Sequence, residues 1–381
     1  MTPEQINQIV AQITTRFYQL QADRTSSHLS SNSPRPAPSS RAAPTSVEQL
    51  AAAFRSVVPA SGHPLHQSRP AEQRKFLDRL SGAQKLVLLY ENLDIQDQAR
   101  ASIPVDALHD EAHVLQVQNP KATFDQLLMK CLLKWFKGDS FKWVNQPPCD
   151  KCQGETVSIG ATAPTSDDTK YGATTVELYK CKSCHSHTRF PRYNDPVKLL
   201  ETRRGRCGEW ANVFCLICRT MGFETRYILD FTDHVWTEVY DVHEKRWVHC
   251  DSCEGEGAYD TPLMYETGWG KKLTYIVAIG INDVVDVTRR YSRTPEIWSR
   301  RNLVNEEWIS PALKSITLGC RRTLSESFRI ELAQRDKEEE LELKGSSMSL
   351  SSGDGLVGRQ SGALEWREMR GEMGNSSPDK K

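Results

Sequence analysis

The sequence predicts an α+β core in which helices precede a pair of antiparallel strands. Helical spacing of apolar residues occurs at about 47–57, 71–93 and 121–137, and again from Cys207 to a stop at Gly222. Alternating residues then predict strands over 234–240 and 246–251, joined by a short turn. The apolar stripe within 121–137 is typical of a helix face packed into a core. These elements together indicate a mixed helix-and-sheet domain.

Polar segments flank this predicted core, which spans residues 47–320. Residues 1–46 combine an amphipathic helix at 3–20 with a Ser-, Pro- and Arg-rich stretch that has too few apolar residues to fold. Residues 321–381 predict a solvated polar helix followed by a disordered tail. Whether the first helix docks on its own core or on a partner is left open by the pattern.

Composition and charge limit the classes of partner and of cellular location that fit this chain. The 381 residues carry 49 basic and 49 acidic side chains, so no excess charge points to nucleic acid as a partner. No apolar run approaches the length of a membrane span, and the first residues lack the pattern of a secretory signal. Eleven cysteines without such a signal predict an intracellular protein with metal-bound and catalytic thiols.

Two C-x-x-C pairs predict a structural metal site inside an insert at about 146–190. The pairs are Cys149/Cys152 and Cys181/Cys184, and each has turn-forming residues nearby. Four thiolates can surround one Zn²⁺ tetrahedrally at about 2.3 Å. His185 and His187 could compete as ligands, although four thiolates already complete a closed site.

Two further pairs, Cys215/Cys218 and Cys250/Cys253, lack this turn chemistry. We expect buried thiols at these positions instead of metal ligands.

Three residues far apart in the chain predict nucleophilic chemistry. Cys207 lies at the start of a predicted helix, where the dipole and free N–H groups stabilise a thiolate. A thiolate nucleophile needs an imidazole to carry its proton, and the imidazole needs a carboxylate to fix its tautomer. His234 and Asp251, on the two predicted strands, can fill these roles. If Tyr240 pairs with Lys245, His234 faces Asp251 directly across the hairpin.

The residues around this trio resemble those of the cytosolic peptide:N-glycanases, a family within the transglutaminase-like (papain-like) superfamily. The matching stretches are Gly205-Arg206-Cys207-Gly208-Glu209-Trp210-Ala211-Asn212, Asp233-His234-Val235-Trp236-Thr237-Glu238-Val239-Tyr240 and His249-Cys250-Asp251-Ser252-Cys253-Glu254. The two C-x-x-C pairs and Trp143-Val144-Asn145 also match, while Cys250 departs from an otherwise aliphatic position. The resemblance covers about residues 50–310 and is closest to the compact fungal form.

The resemblance implies a Cys–His–Asp amidase that releases N-glycans from asparagine side chains and leaves aspartate behind. It implies catalytic roles for Cys207, His234 and Asp251, and an oxyanion role for Trp143. It further implies that Trp236, Glu238 and Glu254 contact the chitobiose core, and that one structural Zn²⁺ is bound.

The resemblance also implies misfolded glycoproteins as substrates, a link to proteasomal degradation of proteins exported from the endoplasmic reticulum, and a ubiquitin-shuttle partner. The expected location is the cytoplasm, with the nucleus left open, and neither nucleic acid nor membrane is expected as a partner. Residues 3–20 or a helix at about 325–343 are the candidate partner contacts. Two alternatives remain: a transglutaminase-like protein-modifying enzyme, and a zinc-containing adaptor without catalysis.

Overall fold

The computed structural model describes residues 71–345 and 356–374. Its helices are α1 (Ala71–Leu89), α2 (Leu93–Arg100), α3 (Val105–Gln118), α4 (Phe124–Trp135), α5 (Ser166–Lys170), α6 (Pro196–Thr202), α7 (Cys207–Thr220), α8 (Thr288–Tyr291), α9 (Ile297–Arg300), α10 (Glu306–Cys320), α11 (Glu326–Leu343) and α12 (Leu364–Arg370). Its strands are β1 (Lys142–Trp143), β2 (Thr156–Thr162), β3 (Val176–Cys181), β4 (His187–Pro191), β5 (Arg204–Gly205), β6 (Thr225–Asp230), β7 (His234–Asp241), β8 (Arg246–Cys250), β9 (Ile276–Ile279) and β10 (Val284–Asp286).

The main sheet has five antiparallel strands in the order β10-β9-β6-β7-β8. A separate antiparallel sheet, β2-β3-β4, forms the insert that carries the C-x-x-C pairs. The short strands β1 and β5 pair in parallel just before α7 begins. This pairing brings Trp143 opposite Gly205, two residues before Cys207.

Helix α7 lies at the centre of the core, and every residue from Glu209 to Thr220 is buried. One side of the helix packs with α3 and α4, and another packs with α1, α10 and the main sheet. The opposite face of the sheet is covered by an aromatic layer, in which Trp236, Tyr265, Trp269 and Tyr291 are fully buried. Each buried ring of this size contributes roughly 2–3 kcal/mol of hydrophobic stabilisation, so the sheet is fixed from both faces.

A buried network of charges attaches α11 to the sheet. Arg226 of β6 donates to Glu339 at 2.6 and 2.9 Å and also pairs with Asp283. Arg290 donates to Glu339 at 2.8 Å and to Glu342 at 2.9 Å. Ions in such a setting are tolerated only when they are paired, because each has lost its hydration. The sequence predicts that this polar helix is solvated, but one of its faces is docked on the core.

Several predictions about individual elements can be compared with this structure. Two of the predicted core helices are present as α1 and α4. The predicted helix at 71–93 is too long, because α1 ends at Leu89 and Asn92 caps the next helix by accepting from Asp94 N and Ile95 N. The predicted helices at 3–20 and 47–57 lie outside the described residues. A disordered tail is wrong for residues 356–374, which pack on the core. In the described part of the chain, no helix is both long and apolar enough to cross a membrane.

Candidate active site

The chain enters α7 through a turn that fixes Cys207 at the first helical position. Gly205 permits the turn, because a Cβ there would lie 2.4 Å from the Cβ of Glu209. Glu209 reaches back to accept from Arg206 N at 2.9 Å, and Arg192 holds the same carboxylate at 2.6 and 2.7 Å. Cys207 is half-buried, with its thiol at the N-terminus of a buried helix. The position matches the sequence prediction.

His234 begins β7 and meets Asp251 just after β8. The imidazole Nε2 lies 2.7 Å from Asp251 Oδ2, and both side chains are fully buried. Burial alone would raise the pKa of Asp251, but the charge and hydrogen bond of His234 hold it well below its ordinary value. Burial would lower the pKa of His234, but the Asp251 carboxylate raises it instead. The pair therefore favours an ionised carboxylate beside a basic imidazole.

The imidazole also influences Cys207. The other ring nitrogen, Nδ1, makes no hydrogen bond of standard geometry within residues 71–345 and 356–374. Burial would raise the pKa of Cys207, but the neighbouring His234 and the positive charge of Arg359 lower it. A loose contact between nucleophile and base is ordinary before substrate binds. The structure thus brings Cys207, His234 and Asp251 together.

Two neighbours that the sequence did not single out orient Asp251. Tyr265 donates its hydroxyl to Asp251 Oδ2 at 3.0 Å, and His249 Nε2 lies 2.7 Å from the same hydroxyl. Burial lowers the pKa of His249 to about 4, so this ring is neutral and donates Nε2–H to Tyr265. Cys253 N donates to the second carboxylate oxygen at 2.9 Å. His234 is thereby left to donate Nε2–H to Asp251, with Nδ1 free to take a proton from Cys207.

The predicted hairpin register is wrong by two residues. Tyr240 pairs with Trp247 and Glu238 with His249, so His234 and Asp251 meet diagonally and not face to face. Asp241 Oδ1 accepts from His243 N and Glu244 N, which moves the turn one residue along each strand, and Lys245 takes a left-handed φ of 53° that a strand cannot hold. A shift of two preserves the face on which each side chain lies. The predicted contact between His234 and Asp251 is therefore present despite the error.

Two of the predicted glycan contacts need correction. Trp236 is 0% exposed, stacks on Tyr265 at 4.2 Å and donates to Tyr291 Oη at 2.8 Å. Glu238 is also 0% exposed and accepts from Arg290 at 2.7 Å and from Tyr291 Oη at 2.6 Å. Both side chains belong to the core beneath the site, because strand alternation placed them on the face that the aromatic layer covers. In this arrangement neither can contact a sugar.

The predicted oxyanion residue, Trp143, and the third predicted glycan contact, Glu254, lie at the rim of the site, where both are half-buried. Trp143 is half-buried, and its Nε1 donates to Asn145 Oδ1 at 2.8 Å. Glu254 is half-buried, and its carboxylate accepts from Gln360 N at 3.0 Å and Ser361 N at 3.1 Å. Both remain candidates for substrate contact by position, although each has a partner within the chain.

The four insert cysteines converge as predicted. The sulfur atoms of Cys149, Cys152, Cys181 and Cys184 all lie within 4.8 Å of one another. Backbone N–H groups of Ser183 and Cys184 each lie 3.4 Å from Cys181 Sγ, an arrangement that stabilises a thiolate. The four sulfurs can hold a metal ion.

The other paired thiols, Cys215, Cys218, Cys250 and Cys253, are buried as predicted, and burial raises the pKa of each.

A fungal relative decides the family. The peptide-N(4)-(N-acetyl-beta-glucosaminyl)asparagine amidase of Yarrowia lipolytica is 42% identical over 292 residues, which cover 75% of this chain and 81% of that protein. The chain belongs to this amidase family. Amidases of the same name from Arabidopsis thaliana and Mus musculus are 47% and 48% identical, over 79% and 76% of this chain. The aligned regions span 42% and 45% of those two proteins, so the chain covers less than half of their length.

Family models agree on the fold of the amidase core. The model described as Transglutaminase-like superfamily matches residues 155–252, and the Rad4 transglutaminase-like domain matches 231–344. The fold class is therefore transglutaminase-like, as the sequence predicted. A solved structure entitled "Crystal structure of Rad4-Rad23 crosslinked to an undamaged DNA" is 11% identical, with a TM-score of 0.45 over 81% of this chain and 62% of that one. Likeness at this level says nothing about what the amidase-family chain binds.

Proposed function

We propose that this chain hydrolyses the amide bond that joins an N-linked N-acetylglucosamine to an asparagine side chain, leaving aspartate on the protein. The observation that carries the proposal is the line from Cys207 through His234 to Asp251, with 2.7 Å between the last two side chains, in a chain of the asparagine amidase family. The lowered pKa of Cys207 and the raised pKa of His234 both favour a thiolate beside an imidazolium.

In the first half of the proposed reaction, Cys207 Sγ attacks the amide carbon of the glycosylated asparagine. His234 Nδ1 carries the proton taken from the thiol and delivers it to the departing nitrogen. The carbon–nitrogen bond then breaks, the sugar leaves as a glycosylamine, and a thioester joins the former asparagine to Cys207. Asp251 stays ionised throughout and stabilises the positive imidazole.

In the second half, water attacks the thioester carbonyl while His234 accepts its proton. The carbon–sulfur bond breaks, Cys207 leaves as the thiolate, and an aspartate side chain remains. Negative charge develops on the carbonyl oxygen in both halves. The amide N–H of Cys207 suits this oxygen because the first N–H groups of a helix have no partner within the helix. Trp143 Nε1 is the proposed second donor, and it must then exchange its bond with Asn145 for one with substrate.

We further propose that the metal held by the insert is Zn²⁺. Four thiolates with N–H···S support are the donor set of a closed structural zinc site. Cys149, Cys152, Cys181 and Cys184 would hold the ion, which would tie the start of the insert to the β3-β4 turn. The ion would act there as a structural cross-link between these two parts of the insert. The insert matters to the active site because Glu177 of β3 accepts from Arg206, the residue before Cys207, at 2.7 and 2.8 Å.

Denatured glycoproteins are the substrates that the site suits best. Cys207 is only half-exposed and His234 and Asp251 are sealed, so an asparagine must reach in from a locally extended chain. We propose misfolded glycoproteins bound for proteasomal degradation as the source, a cytoplasmic location, and a ubiquitin-shuttle protein as partner, as expected from the family resemblance. On α11, a candidate partner contact, Ile330 and Leu341 are 65% and 55% exposed.

Mass analysis of a denatured glycopeptide tests the activity. The expected result is release of the intact glycan with conversion of the linkage asparagine to aspartate. Cys207→Ala should abolish the conversion, whereas Cys218→Ala, which changes a buried thiol of the same helix, should retain it. Persistent conversion by Cys207→Ala would overturn the nucleophile assignment. Transfer to an amine without glycan release would instead favour a protein-modifying enzyme, and complete inertness would favour a zinc-containing adaptor.

A further inference from the structure

Residues 356–374, here called the C-terminal strap, contact residues on both sides of the proposed catalytic line. Gln360 N and Ser361 N donate to the Glu254 carboxylate at 3.0 and 3.1 Å. At the other end of the strap, Arg370 donates to Asp233 at 2.8 Å and to Thr232 O at 3.1 Å. Asp233 directly precedes His234. The strap is therefore attached on both sides of the proposed catalytic line.

Between these attachments, the side chain of Arg359 is buried beside Trp269 and Trp143. Its side chain is 0% exposed, although its neighbours Gly358 and Gln360 are not buried. The guanidinium lies 4.7 Å from the ring centre of Trp269 and 5.8 Å from that of Trp143. Trp269 in turn lies 5.2 Å from the His234 ring. These distances place a positive charge between the predicted oxyanion donor and the catalytic base.

The guanidinium is only partly satisfied. Nη1 donates to Glu372 at 2.7 Å and Nε to Ser361 Oγ at 3.0 Å, and both partners belong to the strap itself. Nη2 is buried and makes no hydrogen bond within the residues that the structure describes. A buried donor without a partner is costly, so this contact is better suited to exchange than to permanent closure.

The strap contacts residues that a bound glycopeptide would also have to contact. The predicted oxyanion residue Trp143 and the predicted glycan contact Glu254 both lie at the rim, and the strap contacts both. Backbone N–H donation to Glu254 reproduces what sugar hydroxyls would donate to the same carboxylate. We infer that the strap is an autoinhibitory contact that occupies the substrate cleft and is displaced when a glycopeptide binds. This inference rests on the proposed function for the identity of the displacing ligand.

The outer attachment is weak enough for displacement. The Asp233 side chain is 80% exposed in its pair with Arg370, and exposed pairs are screened by salt and worth little. The strap joins α11 through residues 346–355, so displacement leaves it tethered beside the cleft. Perturbing its contacts releases a tethered competitor, and because release also removes the Arg359 charge that lowers the pKa of Cys207, alkylation must be compared on its pH plateau.

Charge reversal of the outer attachment tests the inference in the full chain. Arg370→Glu replaces an attraction to Asp233 by a repulsion, and Gln360→Pro independently removes one N–H donor to Glu254. The matched control is Arg322→Glu, an equal charge change at an exposed residue after α10. The readouts are the plateau rate of Cys207 alkylation by iodoacetamide over a pH series, with the labelled cysteine located by peptide mass, and kcat/KM for a denatured glycopeptide.

We expect both strap variants to raise the plateau alkylation rate about two- to five-fold, the change that loss of one exposed pair or hydrogen bond can give. The same variants should raise kcat/KM, mainly through KM, while Arg322→Glu changes neither quantity. An unchanged or slower plateau in both variants would overturn the inference, and a slower one would indicate that the strap completes the site.

The outcomes also separate this inference from the proposed activity. If the strap variants speed alkylation but no chain releases glycan, the amidase proposal fails and the autoinhibitory contact stands. If the unaltered chain deglycosylates and the variants match it in alkylation and kcat/KM, the contact fails and the activity stands.

Discussion

Replacing Tyr265 by phenylalanine tests whether the buried relay positions the triad. The hydroxyl donates to Asp251 Oδ2 at 3.0 Å and accepts from His249 at 2.7 Å, in a residue that is 0% exposed. A hydrogen bond to a charged group is worth about 1.5–3 kcal/mol, and stranding the His249 N–H adds a further cost. We therefore expect Tyr265→Phe to lower the free energy of unfolding by about 2–4 kcal/mol.

The same change should reach the chemistry. Loss of one donor raises the pKa of Asp251 and loosens the carboxylate that holds the His234 ring. We expect kcat for a denatured glycopeptide to fall roughly ten-fold, the lower end of what is seen when a group that orients a functional ligand is removed. Urea unfolding followed by tryptophan fluorescence measures the stability loss, and steady-state kinetics measure kcat.

Tyr275→Phe is the matched control for this experiment. Tyr275 is also 0% exposed, and its hydroxyl bonds to the backbone of Val304 at 3.0 and 3.2 Å, on the other face of the sheet from the relay. It should lose stability and keep kcat. If both variants lose similar stability and neither loses kcat, Tyr265 is only a core residue and the relay plays no part in positioning His234.

Three further predictions concern pH, metal and the buried charges. Because the pKa of Asp251 is held low, its contribution to stability is present above about pH 4 and is lost as pH falls through the lowered value; Asp251→Asn should flatten the acid side of a thermal-stability profile. Chelation by phenanthroline should release one Zn²⁺ per chain, measured by mass spectrometry of the metal, and should lower the melting temperature. The Cys152→Ser variant should purify without the ion. Glu339→Gln should destabilise the fold by about 1.5–3 kcal/mol in urea, because Arg226 and Arg290 each lose one charged partner but keep Asp283 and Glu342, while exposed Glu340→Gln should change little.

The arrangement of the three proposed catalytic residues could be predicted from sequence because it depends on periodicity. A helix start fixed Cys207, and strand alternation put His234 and Asp251 on one face. The two-residue error in the register does not change this result, because a side chain moves to the other face of the sheet only when the register shifts by an odd number of residues. The insert cysteines were equally predictable, because C-x-x-C turns converge through local geometry.

The errors arose where distant parts of the chain meet. Alternation put Trp236 and Glu238 on the same face as His234, but it could not reveal that Tyr265, Tyr291 and Arg290 cover that face farther along the strand. Tyr265 lies in a loop without periodicity, so no pattern linked it to Asp251. The tail looked disordered by composition, yet single residues such as Arg359 anchor it, and composition cannot register one buried guanidinium.

Burial divides the residues of the site into a buried group and a group at the rim. With the strap in place, His234, Asp251, Tyr265 and His249 are all buried, so the residues that bind the glycopeptide, as distinct from those that react with it, must lie at the rim. Changes in the sealed relay should therefore act on kcat, since they alter proton transfer without touching the bound glycopeptide. Changes at Glu254 or the strap should act first on KM, whereas a change at Trp143, the proposed oxyanion donor, should lower kcat. A change at Glu254 or in the strap that lowered kcat with an unaltered KM would mean that this contact also shapes the transition state.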